Sequence, residues 1–175
     1  MASLWNSCYF NIKLIIFKQY RRYGVKEYSV EEVIKFSQQI EEESYKFYKE
    51  ANGRFNDEEL KKITDELARA EVDHLNRLRK LLKEAHLSED DLKKQIKLED
   101  TGYDKIVQAA KISDNASVKD VLETALEREI STANTYRMLN TFTNLSDEII
   151  DVFNYLAAQE EGHVKIIENK LKKLK

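Results

Sequence analysis

The chain has 175 residues, 42% hydrophobic and 35% charged, with no proline, four glycines and a net charge of −3 from 29 basic and 32 acidic side chains. That composition describes one domain able to bury a core, with the usual helix breakers too scarce to interrupt long helices. The interspersed charges make no basic field for phosphates, and the single Cys8 excludes an intramolecular disulfide framework, a four-cysteine zinc site and a rubredoxin-like iron centre, so no nucleic-acid partner and a reducing cytoplasm are expected.

Residues 1–28 read as an N-terminal extension. Its apolar stretch, with Trp5, Cys8, Tyr9, Phe10 and the run Leu14 to Phe17, is interrupted by Asn11 and Lys13. It falls short of the roughly 18–20 residues that span a bilayer, so a membrane partner is not expected. It also lacks the basic start and small-residue cleavage site of a signal peptide. Two roles remain open for it, a structurally incidental extension or a docking or membrane-surface segment.

Ser29 and Glu32 form a Ser-x-x-Glu capping box, after which Val30, Val33, Ile34, Ser37, Ile40, Glu41, Ser44, Tyr48 and Ala51 recur at helical steps, and Gly53 is placed to end this first helix. Asn56 with Glu59 is expected to cap a second helix whose inward stripe is Leu60, Ile63, Leu67, Ala70, Glu71, His74, Leu78 and Leu81. From about Ser88 to Ala116 the periodicity weakens. Asp90, Asp91, Asp100, Gly102 and Asp114 suggest turns around a short helix at Tyr103 to Ile112, and the segment reads as a long crossover. Ser117 with Asp120 opens a third helix carrying Val121, Leu122, Ala125, Leu126, Glu129, Thr132, Ala133, Tyr136 and Leu139 inward. Ser146 opens a fourth, with Ile149, Val152, Phe153, Leu156, Ala157, Glu160, His163, Ile167 and Leu171 on its core side. Short turns within each pair and the long connection between them predict an all-α, antiparallel four-helix bundle over residues 29–175, with a crossover between helices 2 and 3.

The two halves repeat. Glu71-x-x-His74 recurs as Glu160-x-x-His163, and each copy follows a Glu seven residues before a Tyr, Glu41 with Tyr48 and Glu129 with Tyr136. The offset is 88 for the first Glu and 89 for both members of Glu-x-x-His. Residues three apart project to one side of a helix, so each Glu/His pair can meet an ion lying beside it. Four buried carboxylates repel one another unless cations or protons intervene, and two divalent cations would balance them. A carboxylate-rich nitrogen and oxygen donor set suits iron or manganese, whereas zinc ordinarily takes fewer carboxylates. Metal ligation is therefore expected at Glu41, Glu71, His74, Glu129, Glu160 and His163. Tyr48 and Tyr136 fit either core packing or donation to a ligand carboxylate. Tyr45 and Phe47 read as packing residues. His86 reads as a surface residue near a helix end, the lysines from Lys165 to Lys175 as complements to a helix C-terminus, and Cys8 as no catalytic thiol.

With these motifs in place, the chain resembles, over about residues 29 to 175, the rubrerythrin-like branch of the ferritin-like superfamily. The resemblance implies two iron ions, with Glu41 and His74 as terminal ligands of one, Glu129 and His163 of the other, and Glu71 and Glu160 bridging. It implies a non-haem diiron oxidoreductase that reduces hydrogen peroxide or oxygen in oxidative-stress protection, as a homo-oligomer such as a dimer. Alternative readings are an iron-binding or ferroxidase protein of iron storage, and a bundle whose dimetal site is structural. Two departures stand out. Full-length rubrerythrins carry a four-cysteine rubredoxin-like domain, which one cysteine cannot build, so electrons would come from a separate donor such as a rubredoxin-like protein. Thr132 also stands where the family's peroxidases often have an additional Glu.

Overall fold

The computed structural model describes residues 25–84, 87–99 and 112–174. The elements run β1 (Val25–Ser29), α1 (Val30–Arg54), α2 (Glu58–Glu84), α3 (Glu89–Lys93), β2 (Gln95–Glu99), α4 (Val118–Leu139) and α5 (Asp147–Lys173). The fold is an all-α ferritin-like bundle in which α1 packs mainly on α2 and α4 mainly on α5, the two hairpins meeting most closely along α2 and α5. Among the described residues no helix is long and apolar enough to cross a membrane.

Local chemistry sets most helix starts. The Ser29/Glu32 box closes in both directions, the Glu32 amide donating to Ser29 Oγ at 3.2 Å and the Ser29 amide to Glu32 Oε2 at 2.7 Å. Ser117 and Asp120 do the same for α4. The start of α2 differs from expectation. Asp57, not Asn56, takes the Leu60 amide at 2.7 Å, and Glu59 instead receives Lys170. Helix α1 also runs past Gly53 to Arg54, with extended Phe55 as its C-cap. No left-handed residue is needed there, because Asn52 Nδ2 ties the turn by donating to Lys61 O at 2.7 Å and Thr64 Oγ1 at 3.1 Å. Ser146 precedes α5 but makes no side-chain cap bond.

The crossover carries two elements that the weak periodicity conceals. A third capping box, Ser88 with Asp91, opens the short α3, and β2 then pairs antiparallel with β1, Val25 opposite Glu99 and Ser29 opposite Gln95. Residues 25–28, grouped with the extension in the sequence division, thus join the folded unit. The ribbon is anchored at its Ser29/Gln95 end: the Val30 amide donates to Lys94 O at 3.0 Å, and Asn144 Nδ2 in the α4–α5 loop donates to Gln95 O at 3.3 Å. Ile96 is buried beneath it. Most of the expected helix at Tyr103 to Ile112, with His86, Cys8 and residues 1–24, lies outside the described residues.

The apolar interior divides into two clusters. One, around Ile34, Leu78, Ile96, Tyr136, Phe153 and Leu156, fills the end of the bundle under the ribbon. The other, around Tyr48, Leu60, Leu67, Leu122 and Ile167, fills the opposite end. Each fully buried side chain of this size is worth about 1.5–3 kcal/mol by transfer. The polar residues of the Glu-x-x-His repeats lie in the interior with them.

Candidate metal centre

All six expected ligands are brought together from the four long helices. Glu41 is 0% exposed, Glu71, His74, Glu129 and Glu160 each 1%, and His163 6%. The Nδ1 of His74 lies 3.0 Å from Glu160 Oε1, 3.3 Å from Glu71 Oε2 and 3.5 Å from Glu41 Oε2. The Nδ1 of His163 lies 3.0 Å from Glu129 Oε2, 3.1 Å from Glu160 Oε2 and 3.7 Å from Glu71 Oε1. The two rings are stacked, with centroids 5.4 Å apart and 21° between planes. Two overlapping donor groups result, Glu41, Glu71, His74 and Glu160 in one and Glu71, Glu129, Glu160 and His163 in the other, the donor atoms of each within 4.8 Å of one another. Glu71 and Glu160 belong to both.

The tyrosines hold the outer carboxylates crosswise. Tyr48 on α1 donates to Glu129 on α4, and Tyr136 on α4 donates to Glu41 on α1. Both phenols are also members of the apolar clusters, so packing and donation are properties of the same side chains. Phe47 meets the Tyr48 ring edge-on at 5.4 Å, and Tyr45 is partly buried against the same cluster, so both are packing residues.

Electrostatics reflects the crowding. Burial, then the charges of Glu160, Glu129 and Glu41, pushes the Glu71 carboxyl well above its ordinary range. Burial, then Glu129, does the same to Glu160. Burial would lift Glu129 too, but bonds with Glu160 and His163 outweigh it and hold this carboxyl down at about 2. Burial would lower both imidazoles, but His74 is pushed up by Glu160, Glu41 and Glu71, and His163 by Glu129 and Glu71. The Tyr48 phenol is raised by burial and by the charges of Glu129 and Glu71, so it stays a neutral donor.

The donor set fits a pair of cations. Of the eight buried side-chain atoms without a hydrogen-bond partner among the described residues, five are here: Glu41 Oε2, both oxygens of Glu71, His74 Nδ1 and Glu160 Oε1. Such atoms are costly to bury, and the approach of His74 Nδ1 to its carboxylates is close without hydrogen-bond geometry. Oxygen and nitrogen atoms that face one another without bonding are what coordination by a shared ion requires.

Three features of the interior escaped the sequence. Arg128, one residue before Glu129, is buried and donates through Nη2 to Ser44 Oγ at 3.1 Å. It falls seven residues after Val121 and four before Thr132 on the inward stripe, a placement that reads as a surface charge only if residue type is allowed to override spacing. Tyr155 meets the His74 ring edge-on at 6.3 Å under the Arg77 guanidinium, 3.9 Å from its ring centroid. Lys170, grouped by sequence with the lysines that complement a helix C-terminus, is buried and donates to Glu59 at 2.8 Å.

An antiparallel helical bundle whose buried centre carries two carboxylate and imidazole groups that could each hold a metal ion is a dimetal-type carboxylate bundle. The rubrerythrin family model matches residues 16–113, more than half of the chain, and the chain belongs to that family. The matched stretch contains Glu41, Tyr48, Glu71 and His74, while Glu129, Tyr136, Glu160 and His163 enter through the internal repeat and their position in the fold. No curated protein and no solved structure matched the chain.

Proposed function

We propose that this protein is a diiron oxidoreductase that reduces hydrogen peroxide, taking its electrons from a separate donor protein. The observation that carries the reading is the pair of overlapping buried donor groups sharing Glu71 and Glu160. Membership of the rubrerythrin family supports iron as the metal. In this reading Glu41 and His74 hold one iron, Glu129 and His163 the other, and Glu71 and Glu160 serve both. When bound, a ferrous pair supplies the two electrons that, with two protons, convert one hydrogen peroxide to two waters, leaving both irons ferric.

The chain's own contribution is orientation and exclusion. Tyr48 and Tyr136 each fix one oxygen of Glu129 and Glu41, leaving the second oxygen of each carboxylate to face its histidine. The apolar clusters at the two ends keep bulk water from the centre, which strengthens every electrostatic contact inside it. The Tyr48 phenol donates as a neutral group and so adds no charge to the centre.

The test is metal content after anaerobic loading with ferrous ion, followed by rapid-mixing spectroscopy with one equivalent of hydrogen peroxide. Two irons per chain and prompt stoichiometric oxidation are expected. Many irons per chain would replace the reading with iron storage, and bound iron that oxidises no faster than free ferrous ion would leave a structural site.

A further inference from the structure

The repeat holds at the ligands and lapses on the outer face beside them. Three residues of α2 and α5 form a clasp over His74. Tyr155 meets the His74 ring edge-on at 6.3 Å, and the Arg77 guanidinium carbon stands 3.9 Å from the Tyr155 ring centroid. Asp73 Oδ2 accepts from Arg77 Nε at 3.0 Å and from the Tyr155 hydroxyl at 3.4 Å. The Asp73 and Arg77 side chains are 57% and 47% exposed, Tyr155 is half-buried, and His74 beneath it is 1% exposed. The offset of 89 that maps Glu71 and His74 onto Glu160 and His163 also maps Glu66 onto Tyr155, Asp73 onto Gly162 and Arg77 onto Ile166. None of the three clasp residues is therefore repeated at the His163 end. Glu66 is exposed, and a Cβ added to Gly162 would meet nothing within 4 Å. Among the described residues the ring that meets His163 is that of His74, and His163, at 6%, is the most exposed of the six expected ligands.

We propose that metal ions enter and leave the centre at its His163 end, because the Tyr155 clasp closes the His74 end. The inference rests on the dimetal reading above. An ion leaves water by exchanging aquo ligands for protein donors one at a time, so the first donor it takes must be one that solvent reaches. His163 meets that condition, and His74 does not while Tyr155 stands over it. A cation–π contact and an exposed ion pair hold the clasp, and together they keep it closed by about tenfold. Tyr155, Asp73 and Arg77 touch no ion. They act as positioning residues that set the rate of passage and leave the equilibrium affinity alone.

The experiment follows Mn2+ uptake by the metal-free full chain through the electron-paramagnetic signal of free Mn2+, and then its release to excess chelator. With a clasp passing about a tenth of the traffic of an open end, the rates add over the two ends. Tyr155→Ala, with both ends open, should take up and release Mn2+ about twice as fast as the parent. Tyr155→Phe, which keeps the ring under Arg77, should stay at the parent rate. Grafting the clasp onto the other end with Glu66→Tyr, Gly162→Asp and Ile166→Arg should slow uptake and release about fivefold. Both rates move together, so Kd stays where it was. A merely structural effect would instead move Kd or the melting temperature without changing the two rates alike. Unchanged rates in Tyr155→Ala, unchanged rates in a helical graft, or a change in release without one in uptake would overturn the proposal. Should the graft fail to fold, Tyr155→Ala set against Tyr155→Phe decides. Fewer than two Mn2+ per parent chain would overturn the dimetal reading itself, and the entry route with it.

Discussion

Glu71 and Glu160 face both histidines, and each is pushed up by burial and by neighbouring carboxylates, while the two imidazoles are pushed up by the same carboxylates. Without metal, protons on these four groups do the electrostatic work of two divalent cations. Loading metal must therefore expel protons, up to about four per chain near neutrality, and apparent affinity must rise with pH. Calorimetry in buffers of different ionisation enthalpy measures the release, and a proton count of zero contradicts this account. A second expectation concerns the crosswise phenols: Tyr48→Phe frees the Glu129 carboxylate to rotate and should weaken metal binding by about 10–100-fold, read by competition with a chelator. The acids and histidines were legible because Glu-x-x-His on an apolar stripe can point only inward. That Tyr48 serves Glu129 and not the Glu41 of its own helix was not legible, since helical spacing places residues on a face and says nothing of which helix lies opposite. Arg128 was missed for the converse reason, its spacing placing it inside while its charge suggested the surface.

At the scale of elements, the helix starts that were read correctly are those written in short-range code. Ser29/Glu32 and Ser117/Asp120 need only residues three apart, and both boxes close. The ribbon was not legible because β2 is five residues with Ile96 buried, too short for its alternation to stand out, and its partner β1 is about seventy residues away in sequence. At the start of α2, Asp57 combines a cap with a long-range contact to Lys170 at 3.5 Å. Its carboxyl is lowered from 3.8 first by the Leu60 amide, against the opposing effect of burial, and then by the Lys170 charge. A carboxyl with a depressed folded pKa contributes stability above its unfolded value of 3.8 and loses it as pH falls through the lower folded value. Asp57→Asn keeps a capping oxygen without the charge. Denaturant melts should show it less stable than the parent at pH 7, with the difference vanishing in strong acid. Asp57→Ala, which also removes the cap, should cost about 1 kcal/mol at neutral pH.

Across the whole molecule, the packing joins two apolar clusters with a polar centre whose unbonded oxygens oppose folding until cations satisfy them. Metal should then raise the melting temperature. At a free concentration a hundredfold above Kd the gain is about 2.7 kcal/mol, on the order of 5–10 °C for a domain of this length. Scanning calorimetry with and without Mn2+ checks it, and His163→Ala should lose most of the increment. The repeat itself has a further meaning for how such a chain assembles. Each hairpin alone would present two carboxylates and an imidazole on an oily face, a surface that is soluble only when a second hairpin covers it. The peptide connection between them turns that encounter from a collision between strangers into a tethered one. Its effective local concentration is of the order of millimolar, and so the halves meet at any dilution at which the protein exists.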